Sequence, residues 1–343
     1  MLFWYEIKKL LSGVALWIFV VLCIAFNIWA IPWGLREGLD TITPFSTNVF
    51  ENHNTNEIAE SYRTFFELSG RVTERMNAKY ENLQVVVDDR AMTGDSFSAY
   101  FGEHTYIMHT NLFHGFGITG RLLLQGILLA VLLSLLSIGH EQINNTAHGV
   151  YATKTGRRLL LHKIAASLTA GIGLYLLLAI ITFTVYFSVF DFNNVWYSSV
   201  SSGFNYIDDL MGVRPFITWH SFTVASYFWA TLGVSIGLIV CFILMGITVG
   251  TLLRNSYISF LIVMVFNAVC IIIPLVISRN FYAHYIAMHT PIFLWLNKRL
   301  WFTDGGFITL WRNFELWGMG ISLFVLTTFC VLAVKKFEKR DIA

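Results

Sequence analysis

The segment that decides the fold runs from His140 to Lys163 and reads HEQINNTAHGVYATKTGRRLLLHK. It is a sizeable polar stretch between two long apolar runs, about Thr119–Gly139 and Ile164–Phe190. At 1.5 Å per residue, each run is long enough as a helix to cross the ~30 Å hydrocarbon core of a bilayer. The sequence therefore predicts two membrane-spanning helices joined by a polar stretch, which we call the 140–163 segment.

Four basic residues indicate which side of the membrane the segment lies on: Lys154, Arg157, Arg158 and Lys163. Short loops rich in Lys and Arg stay on the cytoplasmic side, so we expect the 140–163 segment in the cytoplasm. It is polar enough to be hydrated and long enough to form a short helix on the membrane surface. Such a helix can carry force from a soluble partner into the flanking spans. A plain loop whose basic residues only set the topology is the alternative.

The order of residues along the segment favours the first of these interpretations. The residues that form the pattern are Glu141, Asn145, Thr146, Tyr151, Thr153, Gly156, Arg157, Arg158 and Lys163. The pattern resembles the coupling segment of permease subunits of type 2 ATP-binding-cassette (ABC) transporters, in a version common in Bacillota. Those segments carry a Glu, a Gly-Thr pair, a Ser-x-Pro or Ser/Thr-Lys-x-Gly turn, an Arg and a Lys, in that order. Asn145 stands where Gly is usual, and Thr155-Gly156 stands where many members have a Pro turn.

The resemblance implies partners for the chain. Two permease subunits, identical or not, would pair with two separate ATPase subunits, which bind ATP and Mg²⁺. The 140–163 segment would sit in a groove of the ATPase, with charged contacts from Glu141, Arg157 and Arg158 and packing from Tyr151. The family also suggests export, of cargo such as a peptide, an antibiotic or a lipid-like amphipath. The chain has no Gly-x4-Gly-Lys-Ser/Thr phosphate loop, so we expect neither a cofactor nor enzyme activity in it.

Composition indicates an all-α polytopic membrane protein. Of the 343 residues, 56% are apolar and only 13% are charged, whereas soluble domains carry about a quarter charged residues. A net charge of +2 gives no reason to expect nucleic acid as a partner. The four cysteines all fall inside apolar runs, so no disulfide framework or cysteine metal site is predicted.

Six apolar runs predict six transmembrane helices of a multi-pass plasma-membrane protein with both termini in the cytoplasm. They lie at about Val14–Trp33, Thr119–Gly139, Ile164–Phe190, Phe222–Leu253, Tyr257–Ile277 and Leu316–Val334. Lys8, Lys9, Arg254 and the basic tail from Lys335 to Arg340 then share the cytoplasmic side with the segment. Four basic residues of the last outer loop oppose this rule, and we expect contacts to lipid headgroups or substrate from them: Arg279, Lys298, Arg299 and Arg312.

The predicted chain has three parts. Residues 1–33 form an interfacial helix and the first span, residues 34–118 an extracytoplasmic domain, and residues 119–343 the other five spans with the 140–163 segment. The interfacial helix is predicted from an apolar face of Phe3, Trp4, Ile7, Leu10 and Leu11, with Glu6, Lys8 and Lys9 opposite.

The other two loop regions have less regular patterns. Helical spacing over Asn54–Tyr80 and a strand-like run at Leu83–Val87 predict an α(+β) insertion between the first two spans. The outer stretch Ser278–Phe314 is unusually aromatic, which favours short helices lying in, or dipping into, the outer interface. The family resemblance implies re-entrant helices at this place.

Two pairs of glycines in the fourth span have the spacing that lets helices approach closely in lipid: Gly233–Gly237 and Gly246–Gly250. We expect them to pack within one subunit, with a dimer seam as the alternative. The spans contain almost no ionisable residues, which argues against an ion-driven carrier.

Two other functions stay open at this point. A sensor could use residues 34–118 as a ligand-binding ectodomain. A zinc hydrolase would need a second His in His140-Glu141-x-x, but Asn144 stands there, and His148 is too far along to replace it. His104, His109 and His114 recur every five residues, a spacing that suits neither a helix nor a strand metal site. We therefore expect no metal site.

Overall fold

The computed structural model describes residues 2–37, 48–93, 112–113, 117–144, 146, 149–150, 159–193, 195–201, 206–209, 212–253, 255–277, 280–306 and 309–339. Six of its helices are long and apolar enough to cross a membrane, which indicates a polytopic membrane protein. These are α2 (Val14–Glu37), α5 (Ile118–Ile143), α6 (Leu159–Val189), α7 (Val224–Leu253), α8 (Ser256–Val276) and α11 (Phe314–Glu338).

The remaining elements are short or polar. They are α1 (Leu2–Leu11), α3 (Thr55–Phe65), α4 (Arg71–Thr93), α9 (Phe281–Met288), α10 (Pro291–Leu296) and a 3₁₀ turn (Lys298–Leu300). One antiparallel hairpin pairs β1 (Tyr206–Asp209) with β2 (Gly212–Pro215). The described chain is thus mostly helical, with almost no strands.

The six long helices alternate in direction, so the bundle has two distinct ends. The junction end carries α1, the end of α5 and the start of α6. The opposite end, which we call the hairpin end, carries α3, α4, the β-hairpin, α9 and α10. The 140–163 segment joins α5 to α6 at the junction end. In the predicted topology the junction end is cytoplasmic and the hairpin end is outside.

Helices α5 and α7 form the centre of the bundle. Their apolar windows are 78% and 67% buried, against 22% for α8 and α11. Small residues allow the close approach, since a Cβ built on Gly246 of α7 would lie 1.9 Å from Ser134 Oγ of α5. The outer helices consequently expose most of their apolar surface, as expected of helices that face lipid.

A buried amide pair attaches α2 to this centre. Asn27 Nδ2 donates to Gln125 Oε1 at 2.8 Å, and Gln125 Nε2 donates back to Asn27 Oδ1 at 2.9 Å. Asn27 Nδ2 also donates to Thr182 Oγ1 of α6 at 3.2 Å. Polar groups surrounded by apolar helices find few other partners, so these bonds fix how α2 docks on α5 and α6.

The α3–α4 pair corrects one prediction. The run Leu83–Val87, predicted as a strand, lies inside the 23-residue helix α4. Leu83 and Val87 are four residues apart and both are buried, so their spacing suits one face of a helix. The predicted helix Asn54–Tyr80 is interrupted between α3 and α4, where Glu67 and Gly70 adopt positive φ angles of 50° and 59°.

A buried ion cluster fixes α4 to the hairpin end, and we call it the Asp304 clamp: Lys79, Tyr80, Arg214 and Asp304. Tyr80 Oη and Arg214 Nη1 both donate to Asp304 Oδ2, at 2.7 and 2.8 Å. Lys79 Nζ donates to the carbonyls of Asp304, Gly306 and Thr309 at 2.7–3.0 Å. Burial alone would raise the pKa of Asp304, but the charges of Arg214 and Lys79 lower it to about 2.

The basic residues of the last outer loop do not behave as one group. Lys298 was expected to meet headgroups or substrate, but it is buried and donates to Phe113 O at 2.6 Å. Burial lowers the pKa of Lys298 to about 7. Arg312 lies over the ring of Trp219 at 4.9 Å. The expectation is wrong for Lys298, because its amine points into the fold.

Candidate functional site

The two ends of the 140–163 segment are held together by an ion pair. Glu141 lies in the last turn of α5 and Lys163 in the second turn of α6, and both side chains are almost completely buried. Lys163 Nζ donates to Glu141 Oε2 and to the carbonyl oxygen of Ser137. Helices α5 and α6 both extend beyond the predicted apolar runs into the polar segment. This pairing allows the two charges at their ends to be buried.

Helix α1 completes the site from the N-terminus. Lys9 Nζ donates to Glu141 Oε1 at 2.6 Å and to Glu6 Oε2 at 3.0 Å. Glu141 therefore receives one lysine on each carboxylate oxygen. We call the resulting row of alternating charges, Glu6–Lys9–Glu141–Lys163, the junction network.

The electrostatics of the junction network follow from its burial. An unpaired charge at this place would lose its hydration without compensation, whereas four alternating charges cancel and bond to one another. Burial alone would lower the pKa of Lys9, but its hydrogen bonds to Glu141 and Glu6 outweigh that effect and the pKa is raised. Lys9 consequently stays protonated at neutral pH and holds α1 against α5.

The network joins three helix ends at one carboxylate. A displacement of α5 at Glu141 acts directly on α6 through Lys163 and on α1 through Lys9. Mechanically, the arrangement makes the junction end a single unit to which the 140–163 segment is attached.

Sequence reasoning missed Glu6 and Lys9. The prediction placed both on the polar face of α1, opposite the face with Trp4 and Leu10. In the structure Glu6 is buried alongside Leu10 and Trp4 is 69% exposed, so the buried side of α1 combines residues from both predicted faces. The available signal was the Glu-Lys pair at i, i+3, which stabilises a helix but does not reveal a distant partner.

The structure describes only one of the other residues that were predicted to couple the chain to an ATPase. The backbone N–H of Thr146 donates to the carbonyl of Glu141 at 2.8 Å, so the chain begins a turn directly after α5. The remaining six residues lie outside the described residues: Asn145, Tyr151, Thr153, Gly156, Arg157 and Arg158. The structure thus brings Glu141 and Lys163 together, whereas most of the predicted coupling segment lies outside the described residues.

The four glycines that were predicted to pack between helices differ in what surrounds them. A Cβ on Gly237 would lie 2.0 Å from Met319 Sδ of α11, and one on Gly250 would lie 3.3 Å from Leu135 Cδ2 of α5. Together with Gly246, these positions face neighbouring helices of the same chain. A Cβ on Gly233 would meet nothing within 4 Å.

The geometry does not favour metal chemistry at His140-Glu141. The carboxylate of Glu141 is bonded on both oxygens to lysines, so it is not placed to act on a metal-bound water. Among the residues that the structure describes, no three His, Cys, Asp or Glu side chains are grouped closely enough to hold a metal ion. His104, His109, His114 and His148 lie outside those residues.

Comparisons with known proteins do not identify a family for the chain. No family model matches the chain, and no curated protein is significantly similar to it.

Proposed function

We propose that the chain is the membrane-spanning permease subunit of a type 2 ABC transporter. Six apolar helices and the ordered motif of the 140–163 segment support this proposal. The observation that carries it is the junction network, which attaches both ends of the segment to one buried carboxylate. Force applied to the segment by a partner is thereby delivered to α5, α6 and α1 together.

In this proposal the energy comes from another polypeptide. A separate ATPase binds ATP and Mg²⁺ and docks on the 140–163 segment, where Arg157 and Arg158 meet acidic side chains of its groove. Closure of two ATPases pulls on α5 and α6 of two permease subunits and switches the pathway. The complex lies in the plasma membrane with both termini cytoplasmic, and it exports a peptide, an antibiotic or a lipid-like amphipath.

Co-purification from the native membrane tests the proposal. The tagged chain is extracted in mild detergent, its partners are identified by mass spectrometry, and ATP hydrolysis is assayed. We expect a stoichiometric ATPase that is lost when Arg157 and Arg158 are both replaced by Glu. The matched control is Lys335→Glu with Lys336→Glu, a double charge reversal of two exposed lysines at the same end of the bundle.

The outcomes separate the candidate functions. Retention of the ATPase and of ATP turnover by the control, but not by the Arg157/Arg158 variant, supports docking on the segment. A well-inserted wild-type protein that brings no ATPase and turns over no ATP would overturn the proposal. That outcome would favour the sensor function, with residues 34–118 as its ectodomain.

A further inference from the structure

Helices α9 and α10 form a hairpin whose turn packs into the side of the bundle. Ser322 Oγ of α11 donates to the carbonyl of His289 in this turn at 2.9 Å. Ser322 is the ninth residue of α11, so the turn lies about 12 Å along that helix at 1.5 Å per residue. Gly318 admits the turn, because a Cβ there would lie 3.4 Å from His289 Cα and 3.1 Å from Leu294 Cδ1.

A groove of about 410 Å³ lies between α8 and α11, and this turn closes its end nearer the hairpin end. Met245 of α7 forms its back, Phe266 of α8 one wall, and Ile321 and Val325 of α11 the other. Phe266, Ile321 and Val325 are each at least 40% exposed, so the groove opens to whatever surrounds the candidate spans. It lies near the middle of α11, a candidate span of 25 residues, and this is the middle of the membrane in the predicted topology.

Three of the four polar side chains that line the groove share one property, whereas the fourth, Tyr285, accepts from Trp311 Nε1 through its hydroxyl oxygen at 2.7 Å. His289 Nδ1 bonds to Tyr285 O at 2.7 Å, Thr290 Oγ1 to Ala287 O at 2.6 Å, and Ser322 Oγ to His289 O. A carbonyl oxygen only accepts, so each side chain uses its proton on the backbone. These three side chains therefore present acceptors to the groove: the hydroxyl oxygens of Thr290 and Ser322 and, with the ring proton on Nδ1, Nε2 of His289.

These features restrict the kind of molecule that can bind in the groove. Surrounding phospholipids present methylene chains at this depth, and those carry no hydrogen-bond donor. A charged head would have to leave water completely to reach the turn, which costs several kcal/mol or more. A neutral head that donates one hydrogen bond, carried on an apolar chain, fits both the acceptors and the walls.

We propose that the groove binds a neutral, single-chain amphiphile with a hydroxyl head, such as a long-chain alcohol. The hydroxyl donates to the acceptors at the turn, with His289 Nε2 as the main one. The chain lies along Phe266, Ile321 and Val325. Binding needs no ATPase and stands independently of the transport proposal.

The test uses the purified full-length chain in phospholipid nanodiscs. The probe is a sixteen-carbon alcohol with a diazirine in mid-chain, and the control probe is its methyl ether, which has no donor. After irradiation, labelled residues are mapped by mass spectrometry. A second groove on α11, lined by residues such as Phe324, Thr328 and Val331, provides an internal control for non-specific lipid contact.

We expect saturable labelling of Phe266 and Val325 that unlabelled hexadecanol competes away. Labelling of the control groove should stay weak and should not saturate. The methyl ether, and the alcohol on a His289→Phe variant, should bind about three- to tenfold more weakly, as one lost hydrogen bond predicts. Val325→Phe, which fills the groove, should abolish the saturable labelling.

Two results would overturn the proposal: equal labelling of both grooves, or equal labelling by alcohol and ether on the wild-type chain. The second comparison needs no variant, so it holds even where a substitution impairs folding. Loss of ATPase co-purification would leave this result unchanged, which separates it from the transport proposal.

Discussion

Glu141 is the residue on which the junction end depends most. It is the only carboxylate bonded to both Lys9 and Lys163 among the described residues, so its removal takes a counter-charge from the half-buried Lys9 and from the fully buried Lys163. Lys9 keeps Glu6 as a partner, whereas Lys163 keeps a hydrogen bond to the carbonyl oxygen of Ser137. The substitution therefore leaves the charge of Lys163 less compensated than that of Lys9.

The first prediction concerns this carboxylate. Glu141→Gln should lower the free energy of unfolding by about 3–5 kcal/mol, the usual cost of breaking a buried ion pair from one side. Thermal unfolding in detergent measures it, with the exposed Glu81→Gln as control. The double variant Glu141→Met with Lys163→Met should lose less than the sum of the single variants, because it leaves no unpaired charge. Strict additivity would contradict the network.

A second prediction at this scale concerns Asn27. Asn27→Leu leaves the Gln125 amide without its reciprocal partner inside the bundle. We expect a loss of about 1–2 kcal/mol, in the range found for hydrogen bonds between membrane helices. The matched control is Ile28→Leu, at a partly exposed position of the same helix. Equal unfolding temperatures for the two variants would show that the amide pair does not hold α2.

At the scale of elements, equal spacing in sequence does not give equal packing. Gly233 and Gly246 both begin a Gly-xxx-Gly pair on α7, yet they lie on different faces of it. Gly246 meets Ser134 of α5, whereas Gly233 faces open space. The helix rotation that decides this comes from the packing of α7 against α5 and α11.

The third prediction compares the same substitution at Gly246 and at Gly233, with Gly233 as the control. Gly246→Ala places a methyl group within 1.9 Å of Ser134 Oγ and should force α5 and α7 apart, at a cost of about 1–3 kcal/mol. Gly233→Ala should leave stability unchanged or slightly improved, because the new methyl meets nothing. Unfolding temperature and cross-linking between cysteines placed on α5 and α7 measure the two effects. A larger loss from Gly233→Ala would contradict the packing.

On the scale of the whole molecule, the Asp304 clamp makes α3 and α4 part of the bundle. Arg90 adds a second attachment, donating to the carbonyls of Thr218 and His220 at 3.2 and 3.0 Å. The α3–α4 pair is therefore fixed to the strands and loops that connect α6, α7 and α11. A ligand that binds the α3–α4 pair, or a force applied to it, would therefore act on the other elements of the hairpin end.

The fourth prediction is the pH dependence of this attachment. The pKa of Asp304 falls from 3.8 to about 2 in the fold, so its contribution is complete above about pH 4 and is lost as pH falls towards 2. The protection of α4 amides, which is their exchange rate relative to that of an unfolded chain at the same pH, should therefore fall over this interval. In Asp304→Asn the protection should already be low at neutral pH and change little with acid. The control Asp89→Asn, an exposed carboxylate on α4, should behave like wild type.

The sequence by itself determined the six candidate spans and the two charges that end the 140–163 segment. Span length and apolarity are local properties, so the six runs were located to within a few residues. The face of α1 and the burial of Lys298 were decided by tertiary structure. Each depends on partners far along the chain: Lys9 and Glu141 are 132 residues apart, and Lys298 and Phe113 are 185 apart. A charge that looks solvated in a single helix becomes a buried contact only when its distant counter-charge is brought to it.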